Sequence, residues 1–140
     1  MKPLILAAAL SALALAGDPG IKRGAQLYRG QPPLQARLAA SEDDLAPAAA
    51  RCMNCHGSGA HGVAEGGIVG SDIRGAILSR RVPRRGGPPA AYTRESFRTA
   101  LRSGHDPAGV VLSRAMPRYT LSDRDSDALW AFLVSLPSKP

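Results

Sequence analysis

The sequence has little of what usually builds a large apolar core or a membrane anchor. It contains one Trp, two Phe and three Tyr, and only two cysteines, which allow one disulfide at most. Beyond the first 16 residues, no apolar run is long enough to cross a membrane, and internal repeats are absent. A chain of 140 residues forms one domain at most. Because a domain of this size buries a modest fraction of its surface, a large apolar ligand would help it to fold.

The first 16 residues have the pattern of a secretory signal peptide. Met1-Lys2 gives a positive end, residues 4–15 are apolar except for Ser11, and Ala14-Leu15-Ala16 is the small-x-small pattern that signal peptidase requires. The run is shorter than the roughly 20 residues that span a bilayer. We therefore expect a signal peptide at 1–16, cleavage before Gly17 and a periplasmic protein without stable membrane insertion. An uncleaved anchor is the alternative.

The net charge of +7 is unevenly distributed along the chain. Residues 74–102 contain eight arginines but only one acidic residue, Glu95. The stretch is either a solvated loop region or a docking surface for an acidic protein partner, whereas nucleic acid is not expected as the partner of an exported protein. The eight arginines are Arg74, Arg80, Arg81, Arg84, Arg85, Arg94, Arg98 and Arg102.

The two cysteines stand two residues apart and a histidine follows them, in the order Cys52-Met53-Asn54-Cys55-His56. Cys-x-x-Cys alone fits a disulfide, a redox pair or half of a metal site, but Cys-x-x-Cys-His is the attachment pattern of haem c. The spacing places the two thiols about one helical turn apart, so that they can add to the two vinyl groups, and the histidine then binds iron from beneath the ring.

Two alternatives for the cysteines stay open, a dithiol redox site and a metal site. A thioredoxin-like site needs strands around the motif, whereas the neighbourhood here is alanine, glycine and proline. A zinc site needs two further ligands, and only His61 and His105 could supply them, with irregular spacing.

Met116 is the best candidate for a second axial ligand to a haem iron. Pro117 favours an extended backbone at Met116, which would hold the thioether out of a loop. Met53 lies inside the attachment segment, and His61 follows the motif too closely to reach around the ring. His105, in a Gly-His-Asp-Pro turn, and an open site with one axial histidine are the alternatives.

Helix signals predict three helices. The first covers about residues 44–56, with Pro47 in its first turn. The second covers 94–103, capped by Thr93 and ended by Gly104. The third begins after Ser122, carries apolar residues at helical spacing and ends before Pro137.

The remaining segments are expected to be loops. Residues 57–75 are rich in glycine, and residues 80–89 form a basic Pro/Gly loop. The sequence thus divides into a signal peptide at 1–16, an N-terminal arm or short helix at 17–43, and a haem-binding domain at 44–137.

These residues together resemble the class I c-type cytochromes. The motif with Gly57, the segment Ala115-Met116-Pro117 and the final helix at 121–133 carry the resemblance, which covers about residues 45–136. It implies an all-α, cytochrome c-like fold of three or more short helices and long loops around one covalently attached haem c. It also implies that Cys52, Cys55 and His56 hold the haem and that Met116 completes the iron ligation.

Two features depart from that family. Its members usually begin with an amphipathic helix directly before the motif, whereas the closest candidate here, residues 21–28, lies far upstream. Many members also have a proline after the motif whose carbonyl accepts from the axial histidine. No such proline occurs around residues 70–72, so a different carbonyl must hold the His56 ring.

The resemblance implies electron transfer rather than enzymatic catalysis. The expected function is a periplasmic monohaem cytochrome that passes single electrons between redox proteins, with Arg74 and Tyr92 as candidates for contacts with the haem propionates. One alternative is a haem subunit of a periplasmic dehydrogenase or sulfur-oxidising complex. Another is a five-coordinate haem sensor or peroxidase.

Overall fold

The computed structural model describes residues 17–138, so the expected signal peptide lies outside the described residues. Within them, helices alternate with strands of three residues each and with long loops. In chain order the elements are α1 (Pro19–Tyr28), β1 (Gln35–Arg37), α2 (Met53–His56), β2 (Val63–Glu65), β3 (Ile68–Gly70), α3 (Gly75–Leu78), α4 (Arg94–Ser103), β4 (Arg118–Thr120) and α5 (Asp123–Ser135).

α1 begins at a strong helix start and packs against α5. The Asp18 side chain accepts hydrogen bonds from the first backbone N–H groups, and Pro19 follows at the first helical position. The contact between α1 and α5 is the most extensive between two elements of the described chain. Gly24 lies at the crossing, where an added Cβ would come within 2.0 Å of the Ala128 carbonyl oxygen. The helix upstream of the motif therefore does pack on the final helix.

α4 and α5 confirm the predicted helix signals. Thr93 and Ser96 form a reciprocal capping box at the start of α4, and Gly104 ends the helix in the left-handed conformation. The Ser122 hydroxyl caps α5 by accepting from the Asp125 amide at 3.1 Å. Buried apolar residues on both helices form the centre of the core.

The prediction of a helix over residues 44–56 is wrong for most of its length, because only α2 is helical there. The Leu45 amide donates to the Ala36 carbonyl at 2.8 Å, which draws this segment toward β1. Pro47 disfavours a helical backbone at the preceding residue, so the chain makes only short turns before Cys52.

Two small antiparallel ribbons replace parts of the expected loops. β1 pairs with β4, and β2 pairs with β3 in a hairpin inside the glycine-rich stretch. Residues 80–89 contain no helix or strand, as expected. Because the ribbons are short and the core is helical, the architecture confirms the all-α class.

No helix within residues 17–138 has the length and the apolar character that a membrane crossing requires.

Candidate haem site

A mostly apolar cavity of about 320 Å³ lies among the helices and is open to solvent on one side. Cys52, Cys55 and His56 line it from the motif, and Met116 lines it from the loop before β4. Leu129 and Leu133 of α5 contribute to its apolar wall. The structure therefore brings together all four residues that the sequence predicted for the site.

The motif forms a single tight turn that presents both cysteines to this cavity. The His56 amide donates to the Cys52 carbonyl at 3.0 Å, and the Gly57 amide donates to the Met53 carbonyl at 2.9 Å. Residues three apart on a helix share a face, so Cys52 and Cys55 both face the cavity. Gly57 ends the turn with a positive φ of 79°, which glycine adopts without strain.

A backbone carbonyl orients the His56 ring. Nδ1 lies 2.7 Å from the Ser71 carbonyl oxygen, and because that oxygen can only accept, Nδ1 carries the proton. Nε2 is then the nitrogen that can bind a metal. His56 is 8% exposed, and burial lowers its pKa, although the bond to Ser71 opposes this effect. The ring is therefore neutral at neutral pH, and Ser71 supplies the carbonyl that the missing proline does not.

β3 packs directly onto the back of the motif. An added Cβ at Gly70 would lie 1.6 Å from the Cys55 carbonyl oxygen. The loop after α2 is closed just before β2, where the Gly62 amide donates to the His56 carbonyl at 2.8 Å. Glycine at position 70 is therefore what allows Ser71 to reach His56.

Met116 alone among the four candidate second ligands lines the cavity. It follows a turn in which its amide donates to the Ser113 carbonyl at 3.1 Å. Met53, His61 and His105 are not among the cavity-lining residues. His105 instead lies beside the Ser103 hydroxyl, 3.2 Å from its Nδ1.

The family model for cytochrome c matches residues 21–137 of the chain. The chain belongs to the cytochrome c family. The match begins within α1 and ends just beyond α5, so it includes the whole cavity. No curated protein and no solved structure was found to match this chain.

Haem c, the covalent cofactor of this family, fits the residues of this cytochrome. The cavity provides an apolar lining, two thiols on one face of a turn, and a neutral imidazole whose Nε2 is available. Arg51 and Arg85 are the charged residues of the lining, and both are exposed. An apolar cavity with charges only at its solvent side suits a ring with one polar edge.

The two alternatives for the cysteines find little support. Burial raises the pKa of the Cys52 thiol to about 12, although Tyr119 lowers it in part, whereas dithiol redox motifs depend on a lowered cysteine pKa. Among residues 17–138, no three His, Cys, Asp or Glu side chains are grouped to hold a metal ion. Both cysteines line the cavity beside His56, as covalent attachment of haem c in this family requires.

Of the two proposed propionate contacts, only Tyr92 reaches the cavity. Arg74 is buried, pairs with Asp72 at 2.6 Å and donates to the Pro137 carbonyl at 3.1 Å. It therefore fixes the loop after β3 to the end of the chain. Arg85, which lines the cavity, is the better placed arginine.

Sequence reasoning missed two buried tyrosines that hold the ends of the motif. The Tyr28 hydroxyl of α1 donates to the Gly57 carbonyl at 2.6 Å, and the Tyr119 hydroxyl of β4 donates to the Ala50 carbonyl at 2.9 Å. Tyr28 lies four residues after Gly24, so both fall on one face of α1, and this spacing could have indicated that Tyr28 is buried. Nothing in the local sequence indicates the partner of Tyr119.

Proposed function

We propose that this cytochrome is a periplasmic electron carrier in which His56 and Met116 are the two axial ligands of one haem c. The observation that carries the proposal is that both side chains line the same apolar cavity as the two cysteines. If His56 and Met116 both held the haem iron, the site would favour electron transfer over ligand binding or peroxide chemistry.

When bound, haem c supplies a one-electron Fe(III)/Fe(II) couple. Cys52 and Cys55 fix the group covalently, and the bond from His56 to Ser71 sets the plane of the imidazole. A thioether at Met116 favours the reduced state. The mostly apolar lining and the neutral His56 ring would favour exchange of a single electron with a donor and an acceptor protein.

Replacing Met116 by Leu tests the proposed ligation. Leucine conserves the volume but has no sulfur to offer, so the ferric protein is expected to lose the far-red charge-transfer band of thioether-ligated haem. The measurement is the absorption spectrum of the oxidised protein. Met53→Leu is the matched control and should keep the band, because Met53 packs on the core outside the cavity. A wild-type protein that lacks the band, with high-spin features, would favour a five-coordinate haem protein instead.

Some arginines of the arginine-rich stretch form ion pairs or hydrogen bonds that link elements of the fold. Arg98 pairs with Asp127 at 2.7 Å, and Arg102 pairs with Asp123 at 2.6 Å, so both join α4 to α5. Arg84 stacks on Tyr92 and donates to backbone carbonyls. With Arg74 paired as well, four arginines are left exposed and without a carboxylate partner among residues 17–138, namely Arg80, Arg81, Arg85 and Arg94.

We propose that these exposed arginines attract an acidic redox partner to the open side of the cavity. Arg85 supports the proposal most directly, because it is exposed, lines the cavity and has a positive φ of 50°. A non-glycine residue in the left-handed region costs energy, and such strained residues occur most often at functional sites. Positive charge at the site would raise the association rate more than the affinity.

Anionic and cationic oxidants test this charge effect. Arg81→Gln/Arg85→Gln is expected to slow oxidation of the ferrous protein by ferricyanide roughly three- to tenfold at low ionic strength, and to accelerate oxidation by tris(phenanthroline)cobalt(III). Stopped-flow measurements at several salt concentrations give the oxidation rate with each oxidant and its dependence on ionic strength. Arg29→Gln/Arg124→Gln removes the same charge at exposed residues that do not line the cavity. If both double variants change the rates equally, only net charge matters and no docking surface exists here.

Export to the periplasm is part of the same proposal. The apolar segment at residues 4–15 and the small residues around Ala16 support it, as does the covalent attachment of haem, which takes place outside the cytoplasm. We further propose that residues 17–43 belong to the haem-binding unit, since α1 packs on α5 and β1 pairs with β4.

A further inference from the structure

The side chain of Arg118 donates hydrogen bonds to three backbone carbonyl groups of the loop that carries Met116. Its Nη1 donates to the Met116 carbonyl at 2.5 Å and to the Ser113 carbonyl at 3.4 Å, while Nη2 donates to the Leu112 carbonyl at 3.3 Å. Hydrogen bonds from a charged guanidinium are stronger than neutral ones. One side chain therefore fixes the backbone of residues 112–116, which we call the methionine loop.

Gly104 makes room for this arginine at the end of α4. An added Cβ at Gly104 would lie 1.9 Å from the Arg118 Nε, and the positive φ of 72° further restricts the position to glycine. The Leu112 amide donates to the Gly104 carbonyl at 2.8 Å. Arg118 thus lies against the end of α4, and the Leu112 amide joins the methionine loop to that helix end.

Tyr119, the next residue on β4, ties the strand that follows the methionine loop to the segment before the motif. It is 4% exposed, and its hydroxyl donates to the carbonyl of Ala50, which is fully buried. Ala50 precedes Cys52 by two residues. Successive residues of a strand point to opposite sides, so Arg118 and Tyr119 act on different neighbours.

We propose that Arg118 and Tyr119 are positioning residues that keep Met116 against the cavity and so resist its replacement by external ligands. The inference rests on the proposed ligation by Met116. An external ligand can bind the iron only after Met116 leaves. If the methionine loop must move for this, the bonds of Arg118 and Tyr119 break, and their strength is part of the resistance.

Imidazole titration of the oxidised holoprotein tests the proposal, with loss of the far-red band as the readout. Tyr119→Phe removes only the hydroxyl, and Arg118→Lys keeps the charge but loses the planar fork. Each variant is expected to bind imidazole about tenfold more tightly than the wild type, because a buried hydrogen bond that favours the closed loop is lost. Ser79→Ala is the control. It removes a hydroxyl that donates to the Gly75 carbonyl of α3 at 2.7 Å, at a residue that does not line the cavity, and should leave the imidazole Kd within about twofold.

Three outcomes contradict the inference in different ways. Wild-type imidazole affinity in both Tyr119→Phe and Arg118→Lys would show that the loop opens without breaking these bonds. An equal gain in imidazole affinity in Ser79→Ala would show that a general loss of stability, rather than these two residues, controls access to the site. Absence of the far-red band in the wild-type protein would instead contradict the proposed ligation by Met116 itself. Should Arg118→Lys fail to fold, Tyr119→Phe alone decides the matter.

Discussion

Gly70→Ala is expected to lower the free energy of unfolding by about 3 kcal/mol or more and to reduce the fraction of chains that carry haem. The new methyl group would meet the Cys55 carbonyl oxygen at 1.6 Å and the carbonyl carbon at 2.3 Å. Because both atoms belong to the backbone, the collision is relieved only if β3 moves away from α2. That movement would carry Ser71 away from His56 and weaken the 2.7 Å bond that orients the imidazole.

Urea unfolding followed by circular dichroism, together with the haem-to-protein absorbance ratio, measures both effects. Gly59→Ala is the matched control, because its added methyl group meets only the exposed His61 ring, at 2.7 Å, and that side chain can turn away. A Gly70→Ala protein as stable as Gly59→Ala, with full haem content, would show that the hairpin does not support the site.

Gly24→Ala is expected to destabilise the protein by about 2–3 kcal/mol, even though alanine favours helices over glycine by about 1 kcal/mol. The added methyl group would lie 2.0 Å from the Ala128 carbonyl oxygen and 2.7 Å from the Phe132 Cβ. α1 and α5 would have to separate, which would also loosen the tilted contact between the Tyr28 and Phe132 rings, whose centroids are 5.3 Å apart.

The control for this prediction is Gly20→Ala in the first turn of the same helix. There the nearest atom to an added methyl group is a carboxylate oxygen of the Asp18 side chain, at 3.1 Å, so a change within about 1 kcal/mol is expected. Thermal unfolding of the two variants side by side compares them. Equal melting temperatures would mean that the crossing of α1 and α5 tolerates a larger separation.

Sequence signals were reliable where the interactions are local. The cap at Thr93 and the stop at Gly104 involve hydrogen bonds between residues that are close in the chain, and both occur as predicted. The same holds for the Ser122 cap of α5. The helix predicted from residue 44 failed because the Leu45 amide bonds to Ala36 instead, a contact that depends on the position of β1.

The charged residues show the same division. The aspartates at the start of α5 suit the positive end of the helix dipole, which sequence alone indicates. Only the structure shows that they pair with arginines of α1 and α4, including Arg23 with Asp125 at 3.0 Å. Several arginines counted as a basic stretch therefore have their charge paired with a carboxylate of α5 or with Asp72.

By itself the sequence determined the attachment motif, the helices at both sides of Met116 and the family of the protein, because each depends on residue types at short, fixed spacings. Tertiary structure decided which carbonyl orients His56, which side chain hydrogen-bonds the methionine loop and which arginines pair with carboxylates. These contacts join segments that are distant in the chain, as Tyr119 and Ala50 are. Which residues meet in these contacts depends on how α1, α5 and the two ribbons pack around the cavity. Local residue preferences do not determine that packing.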